Sequence, residues 1–253
     1  MAWTCEHDCM SGEHRRKHRG WVLAGAALLL LLGSAPIRAQ TKQEFWPGFD
    51  AYIKLNDRTR LYLNTASVRS QDPADEATRN PEATVGAHLD VSLKPILRRK
   101  LAQKSDWERE RFLWVRVGYE YTTTLGSTDD PSREHLGILE LTGRLPLPKD
   151  FWLAQRIRVD LRDANGQYST RPRYRLQVER EARLFRVHTV PYFNAEAYYD
   201  TRFDTVNRQR YQAGLEVVLT KHWRVEPYFT RQHDQHPQPR KLNAFGLTVK
   251  YYR

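Results

Sequence analysis

The sequence predicts an all-β fold: an antiparallel transmembrane β-barrel of ten or twelve strands that follows a cleaved signal peptide. Three observations predict it. From about Phe49 onward, segments of roughly ten residues alternate polar and apolar side chains between short runs of Asn, Asp, Gly, Pro or Ser, the period-2 signature of strands and turns. The segments have the length that crosses a hydrocarbon layer when tilted, whereas soluble strands usually hold about five or six residues. Aromatic residues gather at segment ends, where membrane barrels carry interfacial girdles: Phe151 and Trp152, Tyr192 and Phe193, Tyr198 and Tyr199, Trp223, Tyr228 and Phe229, Tyr251 and Tyr252.

The leader comes first. In 253 residues only Trp21 to Leu32 is long and apolar enough to suggest a membrane helix, and it is shorter than the roughly 20 residues that span. Arg15, Arg16, Lys17 and Arg19 precede it, and Ile37-Arg38-Ala39 places a small residue before Gln40. Residues 1–39 therefore read as a signal peptide and 40–253 as the barrel, with Met10 an alternative start and Ala35 an alternative cleavage site. Both cysteines, Cys5 and Cys9, fall in the leader. The mature chain then has no disulfide, and the metal-type grouping of Cys5, His7 and Cys9 is removed with the leader. The net charge of +11, from 41 basic and 30 acidic residues, with 40% hydrophobic residues and a mean hydropathy of -0.73, excludes a bundle of membrane helices. Basic residues recur from Lys54 to Arg253 among Glu and Asp rather than in one block, which argues against a nucleic-acid partner.

The strand segments follow in order. Ala51 to Asn56 and Arg60 to Ser67 make a hairpin over Asn56-Asp57-Arg58, followed by Thr84 to Lys94, Arg111 to Thr123 and Glu134 to Leu145. In the next, Phe151, Leu153, Ile157, Val159 and Leu161 oppose Trp152, Arg156, Arg158, Asp160 and Arg162. Tyr174, Leu176 and Val178 then oppose Arg173, Arg175, Gln177 and Glu179, and Thr189 to Asp200 reads likewise. Tyr211, Ala213, Leu215, Val217 and Leu219 oppose Arg210, Gln212, Gly214 and Glu216. Trp223, Val225, Pro227 and Phe229 oppose Arg224, Glu226, Tyr228 and Thr230, with Pro227 a weak point because it cannot donate to a ladder. Phe245, Leu247, Val249 and Tyr251 close the series opposite Ala244, Gly246, Thr248 and Lys250. These segments total eleven, whereas bacterial single-chain barrels use even numbers. Either Gln43 to Phe49 holds a further strand, giving twelve, or the first hairpin is miscounted, giving ten.

The connections alternate as well. Short turns (Asn56 to Arg58, Pro146 to Asp150, Leu184 to His188, Thr220 to His222) alternate with longer polar loops (Gln71 to Pro81, Leu125 to Arg133, Asp163 to Thr170, Thr201 to Asn207, Gln232 to Arg240), as in outer-membrane barrels. Leu97 to Glu110, on the short-turn side, is long and charged and reads as a solvated turn of helix.

On this reading the charged face lines the interior. Arg156, Arg158, Arg173, Arg175 and Arg210 form a ladder with Glu179, Glu196, Glu216 and Glu226, whose long side chains pair and fill the lumen. Arg180 has lipid-face parity, to be relieved by a bulge or by snorkelling near the interface, and Arg183 follows it. Catalytic constellations are incomplete. Asn165-Gly166-Gln167-Tyr168-Ser169 faintly resembles the serine segment of outer-membrane phospholipases but lacks the preceding His, and Asn-Gly is an ordinary turn signal. His233-Asp234-Gln235-His236 has metal-ligand types in a polar loop, and His88 and Asp90 share inward parity, as a lumen hydrogen bond or a base pair requires.

The runs Arg156-Ile157-Arg158, Arg171-Pro172-Arg173-Tyr174-Arg175, Glu196-Ala197-Tyr198, Asn207-Arg208-Gln209-Arg210, Gly214-Leu215 and Glu226-Pro227-Tyr228 carry a further signal. Over residues 150–250, and more loosely before, the chain resembles the domain-of-unknown-function 2490 family of Gram-negative outer-membrane proteins. The resemblance implies location and fold, not a reaction. It departs from outer-membrane habit in ending Tyr251-Tyr252-Arg253 rather than on an aromatic residue. The expected role is envelope structure or lipid interaction by a barrel with a filled lumen, without cofactor, metal or catalytic residue. The alternatives are a narrow anion-preferring channel and a lipid hydrolase. Expected partners are outer-membrane lipid, including lipopolysaccharide phosphates near Arg171, Arg202, Arg208 and Arg231, and the outer-membrane assembly machinery.

Overall fold

The computed structural model describes residues 41–71, 81–93, 112–126, 131–184, 187–237 and 239–253. The expected leader, with its cysteines, and the segment Leu97 to Glu110 lie outside the described residues. Strands are β1 (Thr41–Lys54), β2 (Thr59–Ser70), β3 (Glu82–Ser92), β4 (Leu113–Thr124), β5 (Arg133–Pro146), β6 (Phe151–Ala164), β7 (Gln167–Arg180), β8 (Ala182–Leu184), β9 (Val187–Asp200), β10 (Thr205–Val218), β11 (Trp223–Asp234) and β12 (Arg240–Tyr252).

Consecutive strands pair antiparallel except that β7 and β8 both pair with β9, and β1 and β12 close the sheet in parallel from Thr41 opposite Lys241 to Tyr52 opposite Tyr252. Among the described residues the sheet thus has twelve strand segments, of which eleven make the wall. The twelfth, β8, continues β7: Glu179 faces Tyr192 and Ala182 faces Thr189 in one unbroken register on β9. The break falls at Pro191, which has no N–H to give the neighbouring strand. Gln43 to Phe49 adds no extra strand but is the first half of β1. An odd wall count makes the first and last strands run the same way, which is why the closing pair is parallel.

Other prolines leave similar gaps. Pairing between β1 and β2 skips from Phe45 to Gly48 around Pro47. That between β7 and β9 stops at Arg173, next to Pro172. That between β10 and β11 skips from Gly214 to Val217 opposite Pro227, the position flagged in the sequence.

The fold is inside-out relative to a soluble protein. Leu139, Ile157, Phe193 and Phe245 point outward and are 53–59% exposed, while Asp90 and Asp160 point inward and are 0% exposed. An apolar outer wall around a buried ionic interior needs an apolar surrounding, which separates a membrane barrel from a soluble sandwich.

The aromatic expectation is corrected by the same period of two. Adjacent residues of a strand face opposite sides, so of each neighbouring pair only one can sit in a girdle. Phe151, Phe193, Phe229 and Tyr251 are on the outward face, with Phe49, Trp223 and Tyr251 gathered at one end. Trp152, Tyr192, Tyr198, Tyr228 and Tyr252 are in the lumen. Arg180 does point outward and no bulge relieves it. It sits at the short-turn end with its guanidinium 5.1 Å from the Phe151 ring centroid.

Three loops shrink relative to expectation, and one of them, Gln232 to Arg240, reduces to 235–239, so His233 and Asp234 belong to β11 rather than to a loop. Asp163 to Thr170 is mostly strand, joined by a two-residue turn at Asn165 (φ 51°) and Gly166 (φ 80°), and Thr201 to Asn207 reduces to four residues before β10. Positive φ at both turn positions is the type I′ signature that Asn-Gly supplies.

Candidate functional site: the charged lumen

Strand alternation and register place the site. β6 sends Trp152, Ala154, Arg156, Arg158, Asp160 and Arg162 inward, and the tight Asn165-Gly166 hairpin fixes their partners on β7 as Glu179, Gln177, Arg175, Arg173, Arg171 and Ser169. Register on β9 and β10 then brings Glu196 beside Arg175 and Arg210 beside Glu196. All nine ladder residues of the sequence analysis have inward parity.

Asp160 is the hub of the long-loop half. It accepts hydrogen bonds from Arg158 at 2.5 Å and Arg171 at 2.9 Å, and Arg173 lies at 3.3 Å. Glu196 accepts from Arg156 at 2.6 Å and from Arg173, 2.9 Å away. Arg158 reaches Glu120 on β4 at 3.4 Å and Arg156 reaches Glu140 on β5 at 3.5 Å. Charge-assisted pairs of this kind satisfy groups that would be very costly to bury alone.

Tyr198, 1% exposed, stands in the middle. Its hydroxyl donates to Glu196 at 2.9 Å and accepts from Arg173 at 2.9 Å. Guanidinium carbons of Arg173, Arg210, Arg171 and Arg208 lie 4.3, 5.4, 5.6 and 5.7 Å from its ring centroid, within cation–π range. Arg210 also lies 5.0 Å from the ring of Trp46 on β1, three strands away around the wall, and its other partner is Gln232 at 2.7 Å. A connected layer of side chains thereby crosses the lumen from β4 to β1.

The layer separates two cavities that share no lining residue. One, about 290 Å³, lies toward the short turns between Arg144, Arg175, Glu179, Asn194, Glu226 and Lys250. The other, about 440 Å³, lies at the long-loop mouth between Arg162, Arg171, Arg202, Arg208, Asp234 and Arg240. In the former, Glu216 takes Arg224 at 2.8 Å and Lys250 at 2.9 Å, Lys250 also pairs with Glu226, and Glu179 pairs with Arg144.

The closing seam has its own device. Tyr252, Tyr52, Tyr62 and His88, one from each of four adjacent strands, stack at centroid distances of 4.8, 4.7 and 4.9 Å. Arg224, Arg60 and Arg116 cap the three tyrosine rings at 4.1–4.3 Å. Asp90 ties Arg60 and Arg116 together at 2.6 Å each. The His88 ring lies over Gly118, where a Cβ would fall 2.0 Å from Nδ1, so the stack ends on a residue that has to be glycine.

The other sequence candidates are dispersed. His88 bonds Asn64 at 2.8 Å while Asp90 serves the two arginines, so the two share a face but are not a pair. Ser169 faces inward opposite Arg162, and His135, on the outward face, bonds Tyr119 at 2.5 Å, so no serine–histidine pair forms there. His233 points outward beside Arg231, Asp234 inward onto Arg208, and His236 stacks on Phe203. Among the described residues no group of three or more His, Cys, Asp or Glu side chains is placed to hold a metal.

Sequence reasoning read Tyr198 as a girdle residue, and it placed Asp160 and Asp90 inward without reading either as a hub. The signal for Asp160 was present: once Asn165-Gly166 is read as a two-residue turn, Asp160 must face Arg171 with Arg158 and Arg162 two residues either side on its own strand.

No curated protein sequence matches this chain. Among solved structures, the β domain of the Bordetella autotransporter BrkA is similar, with 15% identity and a TM-score of 0.44 over 72% of this chain and 80% of that one. The model of a protein family of unknown function, DUF2490, matches residues 43–243, from β1 into the start of β12, and so takes in the Tyr198 layer. The chain belongs to the DUF2490 family.

Proposed function

We infer that the protein stands in the Gram-negative outer membrane as a closed barrel, an envelope component in contact with lipid rather than a diffusion pore. The observation that carries this reading is the Tyr198 layer, in which four guanidiniums and two buried carboxylates occupy the middle of the lumen. A hydrated pore lined this densely by paired charges would need those pairs to part. The apolar outer wall supports the membrane, and a signal peptide over residues 1–39 would bring the chain to the outer one through the barrel-assembly machinery. Purified protein in a planar bilayer tests the reading. Absence of conductance steps at high salt is expected, whereas regular steps in the wild type would replace it with the narrow anion-preferring channel.

A second reading, contact with lipopolysaccharide phosphates, is favoured by the mouth cavity, where Arg171, Arg202, Arg208 and Arg240 converge. Arg202 and Arg240 are 32% and 40% exposed and so accessible to a phosphate. Arg231 is separate, on the outward face. Glu at both Arg202 and Arg240 should weaken binding of lipopolysaccharide vesicles, and unchanged binding would remove this reading.

A further inference from the structure

Cations lining the short-turn chamber are matched by carboxylates. Arg116 has Asp90 at 2.6 Å, Arg156 has Glu196 at 2.6 Å, Arg224 and Lys250 share Glu216, and Arg144 has Glu179. Arg175 differs: among the described residues it takes part in no ion pair or hydrogen bond. Its register neighbour on β6 is Arg156, another cation, and its neighbour on β9 is Glu196, already engaged by Arg156 and Arg173. Arg175 is half-buried and lines the chamber. So does Asn194, 2% exposed, whose Oδ1 makes no hydrogen bond.

Glu196 and Glu140 balance the Arg175 charge through space, but its N–H groups have no acceptor; unmade hydrogen bonds on a buried guanidinium are costly, and an anion that accepts them offsets that cost. The fork of the guanidinium matches the two oxygens of a carboxylate or phosphate. Asn194 presents an amide beside it, whose oxygen and nitrogen exchange places by a simple flip. The chamber, about 290 Å³, far exceeds the roughly 10–15 Å³ that one water requires. Glu140, Glu179 and Glu226 also line it, so hydroxyl or ammonium groups on the same solute meet acceptors.

We propose that the short-turn chamber is a binding site for a small oxyanion, with Arg175 receiving the carboxylate or phosphate group and Asn194 completing its hydrogen bonding. The site goes beyond the closed-barrel reading and does not depend on it, because the chamber lies on one side of the Tyr198 layer.

The test uses the full mature barrel refolded in detergent, titrated with sodium acetate, sodium phosphate or sodium chloride at matched ionic strength, reading the thermal midpoint. A saturable rise in acetate alone assigns a carboxylate, in phosphate alone a phosphate, and in both the general oxyanion site. An equal rise in chloride reads as screening and overturns the proposal, as does no rise at all. Arg175→Gln should weaken the response by about ten- to a hundredfold, the range for one hydrogen-bonded charge. Arg231→Gln on the outer face should not change it. If Arg175→Gln fails to fold, Asn194→Asp, which sets a carboxylate against the anion, should abolish the response. Retention of the response in every variant that folds overturns the assignment.

Discussion

Replacing Asp160 by Asn removes one charge from the hub while keeping its volume. Three guanidiniums then lose a carboxylate, but unequally. Arg158 keeps Glu120 at 3.4 Å and Arg173 keeps Glu196 at 2.9 Å. Arg171, whose ion pair among the described residues is with Asp160 at 2.9 Å, keeps none. Removing one partner of a buried pair typically costs about 3–5 kcal/mol, chiefly because the other charge stays buried. With Asp160 at 0% exposure and one arginine stranded, the expected loss lies in that range. Urea unfolding of the barrel in lipid vesicles, followed by tryptophan fluorescence and by mobility of unheated samples on a gel, measures it. Asp57→Asn is the control. Asp57 pairs with Lys54 at 2.7 Å with side chains 90% and 50% exposed, and exposed pairs contribute about 0–1 kcal/mol. If Asp160→Asn costs no more than Asp57→Asn, the lumen is solvated and the layer is not a sealed ionic network. Adding Arg171→Met should recover most of the loss, because it removes the stranded charge along with its partner.

Three further outcomes follow from the same geometry. Gly246→Ala should destabilise by about 1–3 kcal/mol, since its Cβ would fall 1.9 Å from the Tyr228 ring, whereas Gly137→Ala, whose Cβ meets Leu161 at an ordinary 3.6 Å, should change the urea midpoint little. At the seam, a double-mutant cycle on Tyr52 and Tyr252 should return a coupling of about 0.5–1.5 kcal/mol, and zero coupling would show that stacking across the parallel pair contributes nothing. On the outer wall, Leu139→Arg should cost about 2–4 kcal/mol in lipid vesicles, and an unchanged stability would mean that this position lies outside the hydrocarbon layer.

Much of the architecture was legible in the residues because one physical rule, period two, sets both wall and lumen. The stretch from Arg156 to Arg162 alternates charged and apolar residues without exception, and its inward set is the set that the alternation names. What alternation cannot carry is depth along the axis and contact across the lumen. Tyr198 and Phe193 are both aromatic and five residues apart in one strand. Parity separates them, but only the registers of β9 with its two neighbours, β7 and β10, bring Arg171, Arg173, Arg208 and Arg210 to one ring. Arg175 illustrates the same limit. Its charge and facing follow from the sequence, but its lack of a hydrogen-bonded acceptor follows from Glu196 being claimed by two other arginines.

The strand count shows how a general rule and a local pattern compete. The pattern contained eleven segments, and the even-number habit of bacterial barrels argued for ten or twelve. An even barrel closes with an antiparallel pair, which stacks opposite residues in alternating close and wide contacts. A parallel closure lacks that alternation and is slightly weaker per residue. This chain places its most extended aromatic stack across that seam, with Tyr52 of β1 sandwiched between Tyr252 of β12 and Tyr62 of β2 and each ring capped by a guanidinium. Backbone bonds from Lys54 N–H to the Arg253 carbonyl at 2.7 Å and from Arg253 N–H to the Tyr52 carbonyl at 2.8 Å extend the ladder to the last residue. The reinforcement sits where the odd count leaves the weaker pairing, so the seam tyrosines belong to the closure of the barrel, and Tyr52 and Tyr62 carry that closure into the lining of the short-turn chamber.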